Sequence, residues 1–554
     1  MSSPPPPRLE APENATAYVN GRVYTVNDAQ PWAEAFIVSE AGLFVAVGTT
    51  EAILSRARRD RMVVYDLQEQ FVMPGIHDAH AHLLMAGMMQ LSIVNLRNGE
   101  DLVTSSEAVR RLKSSSCNCS YAHAFHDWLL GDTFGIENYD RASIDEAFPD
   151  TPVVIQAGAG HSLLLNTVAL RQSGYDVDDE PPAKGAFFAR RDDGSLTGEL
   201  GELAMTKAML ACPKPSAAHV RRALRHAARR LHRAGVTSCQ EAASNTLMVD
   251  AFRALDRGRE LRLDVYTHIV YGPEYIAQEP AQTLHRLLDA AAALRSEHVH
   301  TRFVKMMLDG VPLAPFFSQA DLREDGAADP DDIYVEDLDN VVRKYDAMGM
   351  TIKIHCTGQG STRTALNAIE AARKENPNGP RHEIAHCSGV HDDDYPRFVQ
   401  LNTTAEMSPA ALFNHTFTGE EAALNSWDFA KMVRHGAHMT IGSDWGVPED
   451  PDLLWTVEKL VGVVGGSSGD DDDDDEPTSR RRRGAERLLR MLTLSGAEAV
   501  GSDKWTGSIE AGKRANFIQL DRDLSTGEEG AFREVKVRRT WFEGDLVFEE
   551  DGAS

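Results

Sequence analysis

The chain has 554 residues, 42% hydrophobic and 25% charged, the balance of a globular protein rather than a collagenous or disordered one. Its 84 acidic and 57 basic residues leave a formal net charge of -27, which repels nucleic acid backbones and anionic membrane surfaces, so neither is expected as a partner. Six cysteines in so long a chain do not make a disulfide framework. No basic-then-apolar leader and no apolar run of about 18 residues occurs, so the expected address is the cytoplasm and no membrane span is expected.

Residues 1–13 are proline-rich and expected to be disordered. From Ala17 the text becomes strand-like, with Asn20-Gly21 as a hairpin signal and Ala35–Val38 and Phe44–Gly48 as further strands. The far end has the same texture, at Asn516–Leu520, Val535–Arg538 and Leu546–Phe548. Two strand-rich ends predict one composite β-sandwich, from residues 14–72 and 505–554.

The middle, residues 73–504, alternates short β-rich runs with helical stretches, which predicts parallel strands with helical crossovers. Eight barrel strands are placed at Val72–Ile76, Val236–Gln240, Leu261–His268, Arg302–Met307, Thr351–Ile354, Glu383–Ala385, Thr403–Met407 and Met439–Gly442. The fold class is therefore α/β, a TIM-like (β/α)8 barrel. Residues 96–217 form an inserted subdomain with its own strand, Pro152–Ile155. Residues 465–483, glycine/serine-rich, then acidic, then basic, read as a solvated loop without chemistry.

His80-Ala-His82 follows the first of these strands, and residues i and i+2 of an extended chain point to one side. Alone, this pair is weak. Lys305 is the one basic residue in the apolar run Phe303–Leu308, His355 ends Thr351-Ile-Lys-Ile-His, His386 ends His382-Glu-Ile-Ala-His, and Asp444 ends Met439-Thr-Ile-Gly-Ser-Asp. They fall on or after strands one, four, five, six and eight, and the C-terminal strand ends are where a barrel enzyme carries its site. Imidazoles and a carboxylate suit zinc or another borderline divalent ion, one or two in number. A lysine among cations must lose its charge, as a neutral amine or as a carbamate formed with carbon dioxide; a carbamylated Lys305 would bridge two ions.

These segments resemble the amidohydrolase superfamily in its amidohydrolase-3 (YtcJ-like) branch, which includes N-substituted formamide deformylases. The resemblance runs from about Tyr18 to Phe548. It rests on Met73-Pro-Gly-Ile-His-Asp-Ala-His-Ala-His, Gly160-His-Ser-Leu-Leu-Leu-Asn, Thr197-Gly-Glu-Leu-Gly-Glu, Val304-Lys-Met-Met-Leu-Asp-Gly, Ile354-His-Cys-Thr-Gly, Arg381-His-Glu-Ile-Ala-His, Gly442-Ser-Asp and Gly507-Ser-Ile-Glu-Ala-Gly-Lys-Arg-Ala-Asn-Phe. It implies a barrel with a composite β-sandwich, and it assigns His80, His82, His355, His386 and Asp444 to the metal, Lys305 to the bridge and Asp444 to general base. Gln359, Ala385, Gln240-Glu241 and Asn516 stand where relatives usually carry other residues.

Other polar residues are weighed beside this set. His161 meets the substrate oxyanion or is a hydrogen-bonded structural histidine. Glu202 faces the substrate or is an exposed helix carboxylate. Asp309 lies in a loop beside the site, and His382 is a further substrate contact. The expected reaction is hydrolysis of a non-peptide amide or formamide-like C–N bond in a small molecule by metal-activated hydroxide. An ester or lactone hydrolase, a lyase or isomerase on the same metal, and an inactive binding or regulatory relative are the alternatives; a homo-oligomer is compatible with all of them.

Overall fold

The structure is a computed structural model that describes residues 14–99, 101–116, 127–157, 160–313, 316–409, 427–466 and 476–551. The proline-rich leader, Cys117, Cys119 and the acidic run Asp470–Asp475 lie outside the described residues. The chain divides into two compact units, Met1–Asp78 with Arg229–Cys239 and Asp452–Ser554, and Ala79–Ala228 with Gln240–Pro451.

The first unit draws on both ends of the chain. A six-stranded sheet runs in the order Asp545–Glu549, Val537–Phe542, Phe517–Leu520, Phe71–Pro74, Arg22–Tyr24 and Trp32–Ala33. A four-stranded sheet holds Phe44–Gly48, Ala35–Val38, Thr16–Val19 and Val63–Asp66. Their shared core is aromatic: Phe517 stacks on Trp541 at 4.5 Å and meets Phe36 edge-on at 4.9 Å, with Tyr18 and Phe44 beside them. Neither terminus alone has the strands to cover these rings, so burial joins them.

An eight-stranded parallel sheet makes a nearly closed barrel, with strands Ile76–Ala81, Val236–Ser244, Asp264–Gly272, Val299–Met307, Thr351–Cys356, Glu383–His386, Thr404–Met407 and His438–Ile441. Seven overlap the expected strands over three residues or more, and the first shares only Ile76 with its expected range. The first differs: Phe71–Pro74 pairs with Phe517–Leu520 in the β-sandwich, and the barrel strand starts only at Ile76. The chain changes partners at Gly75, whose amide donates to Asn516 while that of Ile76 donates to Gly235. A Cβ on Gly75 would lie 2.2 Å from the Thr237 hydroxyl, so only glycine permits the crossing.

Between the first two barrel strands lies a second six-stranded sheet, ordered Ala186–Arg190, Leu196–Glu202, Ser162–Leu165, Val153–Ala157, Leu129–Asp132 and Val94–Asn95. Strand alternation feeds two cores, with Val154, Leu163 and Leu165 on one face and Val153, Ile155 and Leu164 on the other.

The basic block Arg480–Arg483 is not a loop but belongs to helix Pro477–Met491. Arg480 and Arg483 donate to the carbonyls of Gly462 and Gly465, and Arg481 pairs with Glu458 at 3.1 Å. Buried Leu488 and Leu489 on the same helix give it the apolar face that charge alone concealed. No helix among the described residues is long and apolar enough to cross a membrane.

Candidate metal centre

His80 lies in the first barrel strand and His82 just beyond its end. His80 Nδ1 is 2.6 Å from Glu406 Oε2, a buried carboxylate on the seventh strand. Donation of the Nδ1 proton to Glu406 places the ring's lone pair on Nε2, the usual carboxylate–histidine arrangement of a ligating imidazole. That Nε2 lies 3.7 Å from Asp444 Oδ1, and His82 Nε2 lies 3.2 Å from the same oxygen. His386, closing the sixth strand, has its ring 4.8 Å from His80 and 4.5 Å from His355. His355 donates from Nε2 to the Gly310 carbonyl at 2.9 Å, which puts the ring's lone pair on Nδ1.

Burial, and after it the charge of Lys305, hold His80 and His355 well below the usual imidazole range; burial, then His355 and Lys305, do so for His386. Neutral imidazoles are what a divalent ion requires. The ligand atoms of His80, His82 and Asp444 all lie within 4.8 Å of one another, as do those of His80, His386 and Glu406. The donor set therefore fits a borderline divalent cation. Two of the residues hold strained backbone: φ is 71° at His386 and 52° at Asp444.

Lys305 is buried on the fourth strand, in register with Lys353 on the fifth. Burial, and then the neighbouring Lys353, push its amine down to about 8. Lys353 is itself buried, donates to the Ala79 carbonyl and lies 3.5 Å from Glu383.

His80, His82, His161, Lys305, His355, His386 and Asp444 all line one cavity of about 280 Å³. Of the remaining expected site residues, Glu202, Asp309 and His382 are not part of its lining. Glu202 is buried at the end of strand Leu196–Glu202, with φ at 50°, and is not an exposed helix carboxylate. It accepts from His161 Nδ1 at 3.0 Å, Tyr275 Oη at 2.8 Å and Ser318 Oγ at 2.6 Å. Burial opposes protonation of His161, but the charge and hydrogen bond of Glu202 outweigh it and raise the imidazole above its usual range.

Asp309 accepts from the amides of Ala320, Thr357 and Gly358 and from Ser361 Oγ, so it pins the loop around the fifth strand's end. His382 precedes the sixth strand, at the opposite end from His386, and its ring is spent on the Ile352 amide and Asp346.

Sequence reading missed several residues. Glu406 and Lys353 are charges within apolar strands, the same signal that singled out Lys305. Glu241 lines the cavity and accepts from the amide of Leu83 at 2.7 Å, at the start of helix Leu83–Leu91. Arg97 pairs with Asp132 at 2.5 Å and donates to the carbonyls of Val447 at 2.8 Å and Gly446 at 3.2 Å. No local spacing marks it.

Residues 63–548 match the family model described as the amidohydrolase family. The chain is 24% identical over 562 residues to an N-substituted formamide deformylase of Arthrobacter pascens, covering 97% of this chain and 98% of that protein. It is 21% identical to the putative amidohydrolase YtcJ of Bacillus subtilis, covering 96% and 98%. Among solved structures, a metal-dependent hydrolase of Pyrococcus horikoshii OT3 superposes with a TM-score of 0.66 at 20% identity, over 93% of this chain and 99% of that one. The chain thus belongs to the amidohydrolase family, in its YtcJ-like branch, and is a hydrolase acting on carbon–nitrogen bonds.

Proposed function

We propose that the protein hydrolyses a non-peptide amide or formamide-like C–N bond of a small molecule at a divalent metal centre, with zinc as the ion. The observation that carries this reading is the convergence of His80, His82, His355, His386 and Asp444 on one cavity that also takes in Lys305. The four imidazoles and Asp444 would hold the metal, and Lys305, carbamylated by carbon dioxide, would bridge to a second ion. A bound divalent ion supplies Lewis acidity and brings the pKa of water down to about 7.

Asp444 takes a proton from the attacking water as general base and returns it to the leaving nitrogen. His161, kept protonated by Glu202, donates from Nε2 to the carbonyl oxygen as it gains negative charge. Tyr275 and Ser318 hold the Glu202 carboxylate in place behind it. The class of bond is supported by the formamide deformylase among the relatives.

The test is metal analysis of the purified protein together with a screen of N-formyl, N-acyl and ester compounds in isotopically labelled water. Stoichiometric metal, cleavage of the C–N bond and one solvent oxygen in the acid product are expected. Protein that binds no metal, or a product without solvent oxygen, overturns the reading. Glu202→Gln is expected to lower kcat roughly tenfold or more at unchanged metal content, because a preorganised charged donor is lost.

A further inference from the structure

We infer that the cavity wall beside Asp444 is a subsite for a neutral, apolar substituent on the nitrogen of the scissile bond. This rests on the amide-hydrolase reading, in which Asp444 returns a proton to the leaving nitrogen and so stands next to it. Gly446 lies two residues on, at a φ of 125°. A Cβ there would come within 2.4 Å of Met85 Cε and 3.2 Å of His82 Cβ. The methyl of Met85 therefore abuts the backbone immediately past Asp444, and a thioether lines that side of the cavity.

From Met85 the wall continues through Met88 of the same helix, Val154 and Leu163 of the six-stranded sheet, and Met209 of helix Thr206–Ala211. Met88, Val154 and Leu163 belong to a buried core cluster against which Met209 packs, so the wall is backed by solid protein. Besides Lys305 and Asp444, the charged side chains lining the cavity among the described residues are Lys214 and Glu241. Glu241 accepts from the amides of Leu83 and Ala243, and Lys214 lies 3.9 Å from Glu279. Along Met85, Met88, Val154, Leu163 and Met209 a charged substituent would lose its water against apolar side chains.

Five of the chain's 17 methionines line this cavity, Met85, Met88, Met209, Met248 and Met307. Unbranched thioethers re-pack around different outlines. The subsite is thus tolerant of shape and intolerant of charge.

The experiment uses metal-loaded protein and N-alkylformamides from methyl to hexyl, N-(cyclohexylmethyl)formamide, and hexyl analogues ending in a carboxylate or an ammonium group. Formate release gives kcat/KM. Calorimetry with N-alkyl methanesulfonamides, which are not amides of a carboxylic acid, reads binding apart from turnover. We expect kcat/KM to rise about fourfold per methylene, the value for burying one CH2. The cyclohexyl probe should match the hexyl one within threefold, and either charged probe should fall at least tenfold below it. Met209→Lys should shift the preference between carboxylate-ended and plain hexyl substrates at least tenfold toward the former. Turnover of all formamides without chain-length dependence overturns the subsite and leaves the hydrolase reading standing. Chain-length-dependent sulfonamide binding with neither the formamides nor the matching N-acetyl amines turned over overturns the proposed amide chemistry and leaves the wall. Charged and neutral hexyl probes of equal kcat/KM overturn the subsite.

Discussion

The backbone amide of Asp444 donates to the carbonyl oxygen of His80 at 2.7 Å, and one step further along the amide of His82 donates to the carbonyl of Trp445 at 2.9 Å. These bonds lie at the seam where the last barrel strand meets the first, with Ala81 and Trp445 bridged in parallel. Closing the barrel and bringing together three of the proposed ligands are therefore one event. The left-handed backbone of Asp444 is held in place by the seam, since an isolated aspartate would relax from it.

His80→Ala removes a proposed ligand and is expected to cost metal and activity together. Asp444→Asn keeps an oxygen near its place but cannot accept a proton, so activity should fall by about a hundredfold or more, the scale of a lost general base, while most metal is retained. Metal content and turnover of the two variants, measured side by side, check this. Equal metal loss in both would reduce Asp444 to a ligand alone.

Glu406→Gln tests the carboxylate behind His80. The amide can still accept from Nδ1 but carries no charge to raise the basicity of the ring. Metal affinity is expected to fall by about 10- to 100-fold, the usual cost of losing such a partner. Competition with a fluorescent chelator reads it directly. An unchanged affinity would mean that Glu406 does not act through His80.

Arg97 ties Asp132 on the six-stranded sheet to the carbonyls of Gly446 and Val447, just past Asp444. Its planar fork reaches three acceptors, and a lysine ammonium cannot copy that geometry. Arg97→Lys is expected to lower kcat by about tenfold with metal content preserved, because a displaced base is costly even when the loss of position is small. A variant with normal kcat would show that the seam alone positions Asp444.

The legibility of the fold followed burial. Barrel strands two to eight are short buried segments between helical stretches, and that alternation stands out in the sequence. The first strand was displaced because the apolar text of Phe71–Pro74 runs straight into Ile76–Ala81, which carries His77, Asp78 and His80, and the partner change at Gly75 that divides them leaves no mark in the sequence. His80, His82, His355, His386 and Asp444 were singled out because each sits at or near a strand end, and the fold lines one cavity with all five. Asp309 and His382 share that neighbourhood, yet their partners are backbone amides, Ser361 and Asp346, which no spacing reveals. Arg97 and Glu202 act across long sequence separations, so their roles exist only in the folded chain.

Glu199 gives a stability prediction independent of the metal. It is buried on strand Leu196–Glu202 opposite Leu164, and one of its carboxyl oxygens has no hydrogen-bond partner among the described residues. Burial pushes its pKa up from 4.5 to about 7. The folded protein therefore holds a proton that the unfolded chain has released between those values. The stability linked to that proton is full below 4.5 and drains away as pH rises to about 7. Glu199→Gln cannot ionise and escapes this loss. It is expected to match the parent near pH 4.5 and to exceed it at pH 8 by about 1–2 kcal/mol, the scale of burying an unsatisfied polar group. Urea unfolding of both proteins across this range checks it, and a difference that does not grow with pH would show that the carboxylate ionises without penalty in the folded state.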